Sequence, residues 1–424
     1  MSGKTSPQWV AQGALPASAR LLIGARMVRS IGQGALVVDF SLYLHQLRWS
    51  SVQISATLSA ALLVGATLTL LVGPLSDRVG RRHFLMGFEV AQILACTVAC
   101  LTSAPWLLVP AAIVGGFGRG GNGAAGPFAP VEQAWLAQGV AAGQRGRLYS
   151  RNAAGGFVGM ALGALLAAAP TRLSALLPGA LSFRPLFALA GLCAAACLLL
   201  LARAHDAERQ ARHGPGASSP ADGGNPADPC EATLRQHENR NILRLALTNL
   251  TNGIGIGLTG PLMSYWFAIR FAKGPEFIGP MMALGFLLAG FSSLGAGRLA
   301  SAMGIVRSIV LMRLIGLACL LALPFAPTFA SAATLYTVRN FFNRGTIGTR
   351  NALSVGLVRP SRRGFAASIS SVSMQVPRAV GPVFAGLMFQ AQWLALPFVI
   401  GAAFQGAFVY LYYRHFAHTD ADPR

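Results

Sequence analysis

The sequence predicts an all-α membrane protein of twelve transmembrane helices, arranged as two pseudo-symmetric six-helix bundles. Three observations predict it. The 424 residues are 54% hydrophobic and 11% charged, with a mean hydropathy of +0.53, whereas soluble chains carry about a quarter charged residues. Lipid rather than water must therefore cover most of the surface. Long apolar runs recur six times, break, and recur six times more. The two sets also share a repeated loop block.

A bilayer-spanning helix needs about 20 mostly apolar residues, and the runs meet that requirement in order. The first covers 21–47 and ends in VVDFSLYL, and the second, 52–72, reads SATLSAALLVGATLTLLV from Ser55. The third, 83–103, contains QILACTVACL, and the fourth, 106–134, is interrupted by GGFGRGGNG. The fifth, 149–170, and the sixth, 184–204, close the N-terminal bundle, residues 1–204. Residues 205–240 include GPGASSPADGGNPADP, a Pro, Gly and Ser mixture too polar to pack, and are expected to form a cytoplasmic tether. The C-terminal bundle, 241–424, places runs at 241–270, 276–297, 305–325, 329–355, 365–389 and 392–414.

Basic residues orient these runs, because cytoplasmic loops retain Lys and Arg. Connections after the second, fourth, eighth and tenth runs carry Arg78, Arg81 and Arg82; Arg145, Arg147 and Arg151; Arg298 and Arg307; Arg359, Arg362 and Arg363. The opposite connections hold Arg48, Arg172, Arg184, Arg270 and Lys273. Both termini are thus expected in the cytoplasm, with the protein in the cell inner membrane. Residues 1–20 lack a compact apolar core, so the first helix is expected to serve as its own insertion signal. The net charge of +21 falls in clusters between apolar runs, which excludes a nucleic-acid partner, since such binders concentrate charge on a polar face. Five of the six cysteines, Cys96, Cys100, Cys193, Cys197 and Cys319, lie inside apolar runs, where small packed residues outweigh soft-metal ligands. No disulfide framework, metal site, cofactor or catalytic constellation is expected. GxxxxGK[ST] does not occur, so energy would come from ion gradients.

Residues 73–82 read GPLSDRVGRR and residues 297–307 read GRLASAMGIVR. Gly73, Leu75, Asp77 and Gly80 match Gly297, Leu299, Ser301 and Gly304 at the same spacing. Such duplication builds many transporters, with the solute site between the halves. The first block resembles the loop signature of the major facilitator superfamily, Gly-x-Leu-x-Asp-Arg-x-Gly-Arg-Arg/Lys, at Gly73, Leu75, Asp77, Arg78, Gly80, Arg81 and Arg82. With twelve runs and a degenerate second copy, the resemblance covers nearly the whole chain. It implies that Asp77 meets arginines and a helix N-terminus as a conformational latch between the halves. Glu132, at the cytoplasmic end of the fourth run, is expected to join it. For Arg81 and Arg82, plain topological anchoring stands equally open.

Ionisable groups inside a bilayer are costly and mark cavities or partners. Asp39 is the one carboxylate well inside the first run, where the resemblance implies a proton-coupling acid, and Arg119 falls where the family often carries an arginine linked to proton exchange. A fixed partnership with a neighbouring arginine is the other role open to Asp39. Glu89 is expected to reach back to the cytoplasmic surface. Arg339, Arg344 and Arg350 in the tenth run and Arg378 in the eleventh outnumber the acids, which points to an anionic solute carrying a carboxylate or phosphate. Pairing with backbone carbonyls and water is the competing explanation. Gln33, Tyr43, Asn249, Asn252, Arg339, Asn343 and Arg378 are the candidate cavity residues. Gly155, Gly159 and Gly163 form a small-residue stripe for close helix approach; Ala164 stands where the family's exporters carry a proline.

Taken together, the expected activity is proton-coupled efflux of a small organic solute by alternating access, resembling the drug and metabolite efflux branch (drug:proton antiporters), with an importer or uniporter of an anionic metabolite as the alternative. The expected partners are the solute, protons and membrane lipids, for a monomeric protein.

Overall fold

A computed structural model describes residues 17–119, 128–136, 142–204, 229–356 and 363–417. Among them there is no strand, and the helices run in order. They are α1 (Ala17–Gln46), α2 (Ser51–Val79), α3 (Arg81–Leu101), α4 (Pro105–Gly115), α5 (Phe128–Leu136), α6 (Ala142–Leu166), the short α7 (Ala169–Leu173) and α8 (Arg184–Arg203). The second half gives α9 (Pro229–Thr259), α10 (Met263–Phe271), α11 (Pro275–Met303), α12 (Ile305–Ala322), α13 (Phe329–Gly356), α14 (Arg363–Gln390) and α15 (Leu396–Phe416).

Three boundaries differ from expectation, each for a backbone reason. The fourth run is broken: Gly116 and Gly118 adopt φ of +63° and +70° after α4, a left-handed region that cannot continue a right-handed helix. The seventh breaks between α9 and α10 at Gly260 and Pro261, where proline lacks the N–H that the helix needs. That same run starts early. Helix α9 begins at Pro229, inside the stretch expected to be a tether, with proline at its first position where fixed φ favours initiation.

Eight described helices are long and apolar enough to cross a membrane by themselves. The four remaining expected crossings are the broken fourth and seventh and the arginine-bearing tenth and eleventh. Those are the helices where polar groups interrupt the apolar surface, so the shortfall locates the interior of the protein rather than its lipid face. This is a multi-pass membrane protein.

Helix packing repeats from one half to the other. Helix α1 packs on α6 and α8, as α9 packs on α14 and α15; α3 packs on α8 as α12 packs on α15. Between the halves, α2 meets α14 and α6 meets α11, again related by the repeat. Glycine makes the closest of these approaches. Added side chains at Gly159 and Gly163 would collide with the carbonyls of Met27 and Ile31 on α1, and at Gly253 and Gly257 with those of Met374 and Arg378 on α14. The predicted stripe is therefore the α1–α6 seam, and α9–α14 repeats it.

The repeated loop block also recurs in backbone geometry. Gly80 precedes α3 with φ +94°, ψ +133°, and Gly304 precedes α12 with φ +92°, ψ +153°. Both positions need a residue without Cβ, so the matching glycines are turn residues in each half.

Candidate functional site

Four ionised side chains sit in the interior of the N-terminal half. Arg26 on α1 donates to Glu132 on α5 at 2.5 Å, and Arg29 on α1 donates to Glu89 on α3 at 2.7 Å; all four are buried. The Arg29 guanidinium also lies 4.3 Å from the Phe128 ring centroid and 5.3 Å from that of Phe88. Aromatic faces attract a desolvated guanidinium, so the rings partly replace its water. Glu89 thus does not reach back to the surface, and Glu132 is held by Arg26 rather than by the loop arginines. Burial without a partner would leave either carboxylate uncompensated, which is why each found a guanidinium on the adjacent helix.

Asp39 is different. It lies about three to four turns along α1 from these pairs, buried in a tight pocket between α1 and α8 that Leu36, Phe40, Tyr43, Phe183, Leu186 and Phe187 line. Neither carboxylate oxygen has a hydrogen-bond partner. Arg119, the expected charge partner, is not bonded to it. The Arg119 guanidinium donates to the Ile113 carbonyl and packs against Gly65 and Gly116, while its Nε and Nη1 stay unpartnered. Among the described acids, Asp39 is the one whose two buried carboxylate oxygens both lack a partner.

The loop signature is only partly in view. The side chains of residues 73–79 lie outside the description, which leaves Gly73, Asp77 and Arg78 without a structural statement. Beyond Gly80, Arg81 donates to the Ala134 carbonyl at the end of α5 at 3.3 Å, and Arg82 donates to the Ala202 carbonyl at the end of α8. Cations at helix C-termini meet unpaired carbonyls and the negative end of the dipole. Both arginines tie helices of their own half together.

The C-terminal half is rich in arginine and poor in acids along its membrane helices. Residues 241–417 contain a single carboxylate, Glu276. It sits at the far end, where it accepts from Thr171 Oγ1 at 2.6 Å. Arg339 on α13 makes one long contact, 3.5 Å to Thr259 Oγ1, and its Nε is unpartnered; so is Nε of Arg378 on α14. Arg344 lies within electrostatic reach of both. It donates to Asn340 Oδ1 at 3.2 Å and stacks over Phe286 at 5.2 Å and over Phe157, from the other half, at 5.8 Å. Arg344 therefore marks where the halves face each other.

Other candidates fall elsewhere. Tyr43 is buried among Phe183 and Phe187, with its hydroxyl 3.1 Å from Ser103 Oγ, inside the N-terminal bundle. Asn249 donates to Ser370 Oγ at 2.9 Å, tying α9 to α14. Asn252 accepts from Arg313 at 3.5 Å, and Asn343 packs against Gly316 on α12. Gln33 is buried with an unpartnered Oε1. Sequence reasoning overlooked Arg313, which also reaches Thr346 at 3.2 Å and lies 5.2 Å from the Phe408 ring. The signal was present: one arginine interrupts VLMRLIGLACL.

At the end opposite the loop signature the halves are closed. Ser41 and Ser264 hydroxyls are 3.0 Å apart, Ser51 and Tyr265 hydroxyls 2.8 Å, and the His45 ring lies 5.3 Å from that of Tyr265. Behind them Trp266 is fully buried and donates to the Leu394 carbonyl at 3.0 Å. This hydroxyl ladder and aromatic plug seal that end of the interface.

Comparison with known proteins agrees with this architecture. The sequence profile of the Major Facilitator Superfamily matches residues 22–338. An uncharacterized membrane protein of Saccharomyces cerevisiae is 21% identical over 407 residues, spanning 91% of this chain and 90% of its own. Among solved structures, a bacterial homolog of the human lysosomal transporter Spinster, in an inward-facing and occupied conformation, has a TM-score of 0.71 at 14% identity over 97% of this chain and 100% of that one. The human organic anion transporter MFSD10 (TETRAN) has a TM-score of 0.64 at 16% identity, over 94% and 100%. A D-xylose–proton symporter gives 0.69 at 14% identity, over 93% and 96%. At these identities the likeness is one of fold.

Proposed function

The chain belongs to the Major Facilitator Superfamily, and on that footing we propose that it moves a small organic anion outward across the inner membrane by proton-coupled alternating access. The observation that carries the solute class is the pair of buried arginines Arg339 and Arg378, whose Nε atoms have no partner, within residues 241–417, which contain a single acid, Glu276. Guanidinium nitrogens buried without a partner, as at Arg339 and Arg378, favour a visiting anion. Residues 1–204 and 229–424 are the two moving units, the second beginning with α9 rather than at 241, and 205–228 tether them. Asp39 is the proton carrier, since its carboxylate is buried and unpartnered. Arg119, which donates to the Ile113 carbonyl, is the second proposed proton-coupling residue.

The basic connections place the loop signature in the cytoplasm, so the hydroxyl ladder closes the outer side. Asp77 and Arg78, with Gly73, latch the cytoplasmic side in the opposite state. Arg81 and Arg82 stiffen the N-terminal unit so that it moves as one body. The protein works as a monomer.

Inside-out vesicles with an acidic lumen test this. Labelled organic anions should accumulate in the lumen and lose that accumulation when a protonophore collapses the gradient. Accumulation that requires the reverse gradient would assign import, and a preference for organic cations would sink the solute class altogether.

A further inference from the structure

The outer end of the C-terminal half carries a groove that the transport reading does not use. It has a volume of about 580 Å³ and lies where the end of α10, the turn after α12 and the α14–α15 connection meet; Arg270, Gln392, Trp393, Leu394, Leu396 and Val399 are among the residues that line it. We propose that this groove holds one acidic phospholipid of the outer leaflet, its phosphate on Arg270 and an acyl chain along Trp393 and Val399. The leaflet follows from the orientation argued above; the solute class does not enter.

Charge in the groove is of one sign. Arg270 is exposed, its guanidinium lies 5.5 Å from the Phe271 ring centroid, and it makes no ion pair among the described residues. Topology gives no reason for it, since Lys and Arg mark cytoplasmic connections and Arg270 ends a helix on the opposite side. A cation in the last turn of α10 suits the helix dipole, but the apolar walls around it do not follow from that. A guanidinium fork matches phosphate oxygens in geometry as well as in charge. None of the lining residues is acidic, so the amine of a zwitterionic headgroup finds no partner, and a net-anionic headgroup is favoured.

The walls call for a chain as well as a headgroup. Trp393 is 60% exposed, and Phe325, in the turn after α12, is 67% exposed. Large apolar side chains this bare face acyl chains in a membrane protein, and tryptophan settles at headgroup depth. The floor is firm, because the Leu394 carbonyl accepts from Trp266 Nε1 at 3.0 Å and Trp266 packs on Phe398 at 4.6 Å between ring centroids. Helices α12 and α15, which flank the groove, pack on helices of their own half, so it opens on the perimeter, away from a solute path between the halves. A free phosphate would engage Arg270 and leave the walls bare; a phospholipid satisfies both.

The test uses the purified full chain in phosphatidylcholine nanodiscs that hold a minor fraction of lipid brominated on its acyl chains, a contact quencher of tryptophan. Phosphatidylglycerol and phosphatidylcholine carry the bromine in turn, and the Trp393 signal is the part of the fluorescence lost in Trp393→Phe. At equal fractions, brominated phosphatidylglycerol should quench that signal about fivefold more effectively, the worth of one arginine facing an acidic headgroup. Arg270→Gln should bring the two lipids level, and excess inorganic phosphate should leave the wild-type quenching unchanged. Equal quenching by the two lipids on the wild type would overturn the proposal. Relief of the quenching by inorganic phosphate would overturn it too, and would make the groove a site for a free anion. If a variant fails to fold, native mass spectrometry of the wild type decides: one phosphatidylglycerol should survive delipidation where phosphatidylcholine does not, and survival of both or of neither contradicts the assignment.

Discussion

Arg29 Nε donates to Glu89 Oε1 at 2.7 Å, and the same guanidinium lies between the rings of Phe128 and Phe88. A cation on α1 is thereby fixed to an acid on α3 and to an aromatic ring on each of α3 and α5. This relationship makes the N-terminal half a single body. Removing one partner strands the other charge in low dielectric, at a cost of about 3–5 kcal/mol. Glu89→Ala should therefore lower the unfolding temperature markedly, while Arg29→Met with Glu89→Leu should recover most of the loss. A thermal melt of the two variants checks this, and equal losses for both would show that the pair contributes little.

Proton coupling makes a different kind of prediction. Asp39→Asn should abolish gradient-driven accumulation while leaving solute exchange between two loaded compartments, which needs no net proton movement. Counterflow in proteoliposomes separates the two. Loss of exchange together with accumulation would mean that Asp39 serves the fold or the solute rather than the proton.

The outer seal depends on hydroxyl pairs. Tyr265→Phe removes the bond to Ser51, and Ser264→Ala removes the bond to Ser41. Each is worth about 1 kcal/mol net, so the double variant should shift the open-outward population by roughly tenfold or more. Distances between spin labels on the outer ends of α1 and α10 would report the shift. An unchanged distribution would place the seal in the buried Trp266 cluster instead.

Helix contact through glycine predicts a steric effect. At Gly163 an added side chain meets the Ile31 carbonyl, and backbone cannot retreat as a flexible side chain can. Gly163→Val should separate α1 from α6 and cost about 1–3 kcal/mol or more, whereas Gly87→Val, where nothing lies within 4 Å, should be tolerated. Folded yield of the two variants is the readout.

Much of the fold was legible because the bilayer imposes a length and a polarity on every crossing. Apolar runs located the eight described helices that are long and apolar enough to cross a membrane, and the matched glycines at Gly80 and Gly304 turned out to share a backbone conformation as well as a spacing. Breaks inside a run were less legible. GGFGRGGNG was visible as an interruption, but whether glycines bend or end a helix depends on φ, which composition does not encode. Of the site, the excess of buried arginine was readable from charge counting alone. Which polar residues share a face was not, because Asn249, Asn252 and Tyr43 have the right type and depth yet are consumed by contacts within their own half. Glu89 was misjudged for a related reason: its partner Arg29 on α1 only becomes apparent once the helices are packed.

Untargeted metabolite exchange gives the strongest check on anion transport through the arginine group. Proteoliposomes of the wild type and of Arg339→Gln would be loaded with a cell extract and the solutes released under a proton gradient identified by mass spectrometry. Solutes that leave only the wild-type vesicles should be anions at neutral pH. If they are cations or uncharged compounds, or if Arg339→Gln releases the same set at the same rate, the arginines are structural and the proposed solute class is wrong.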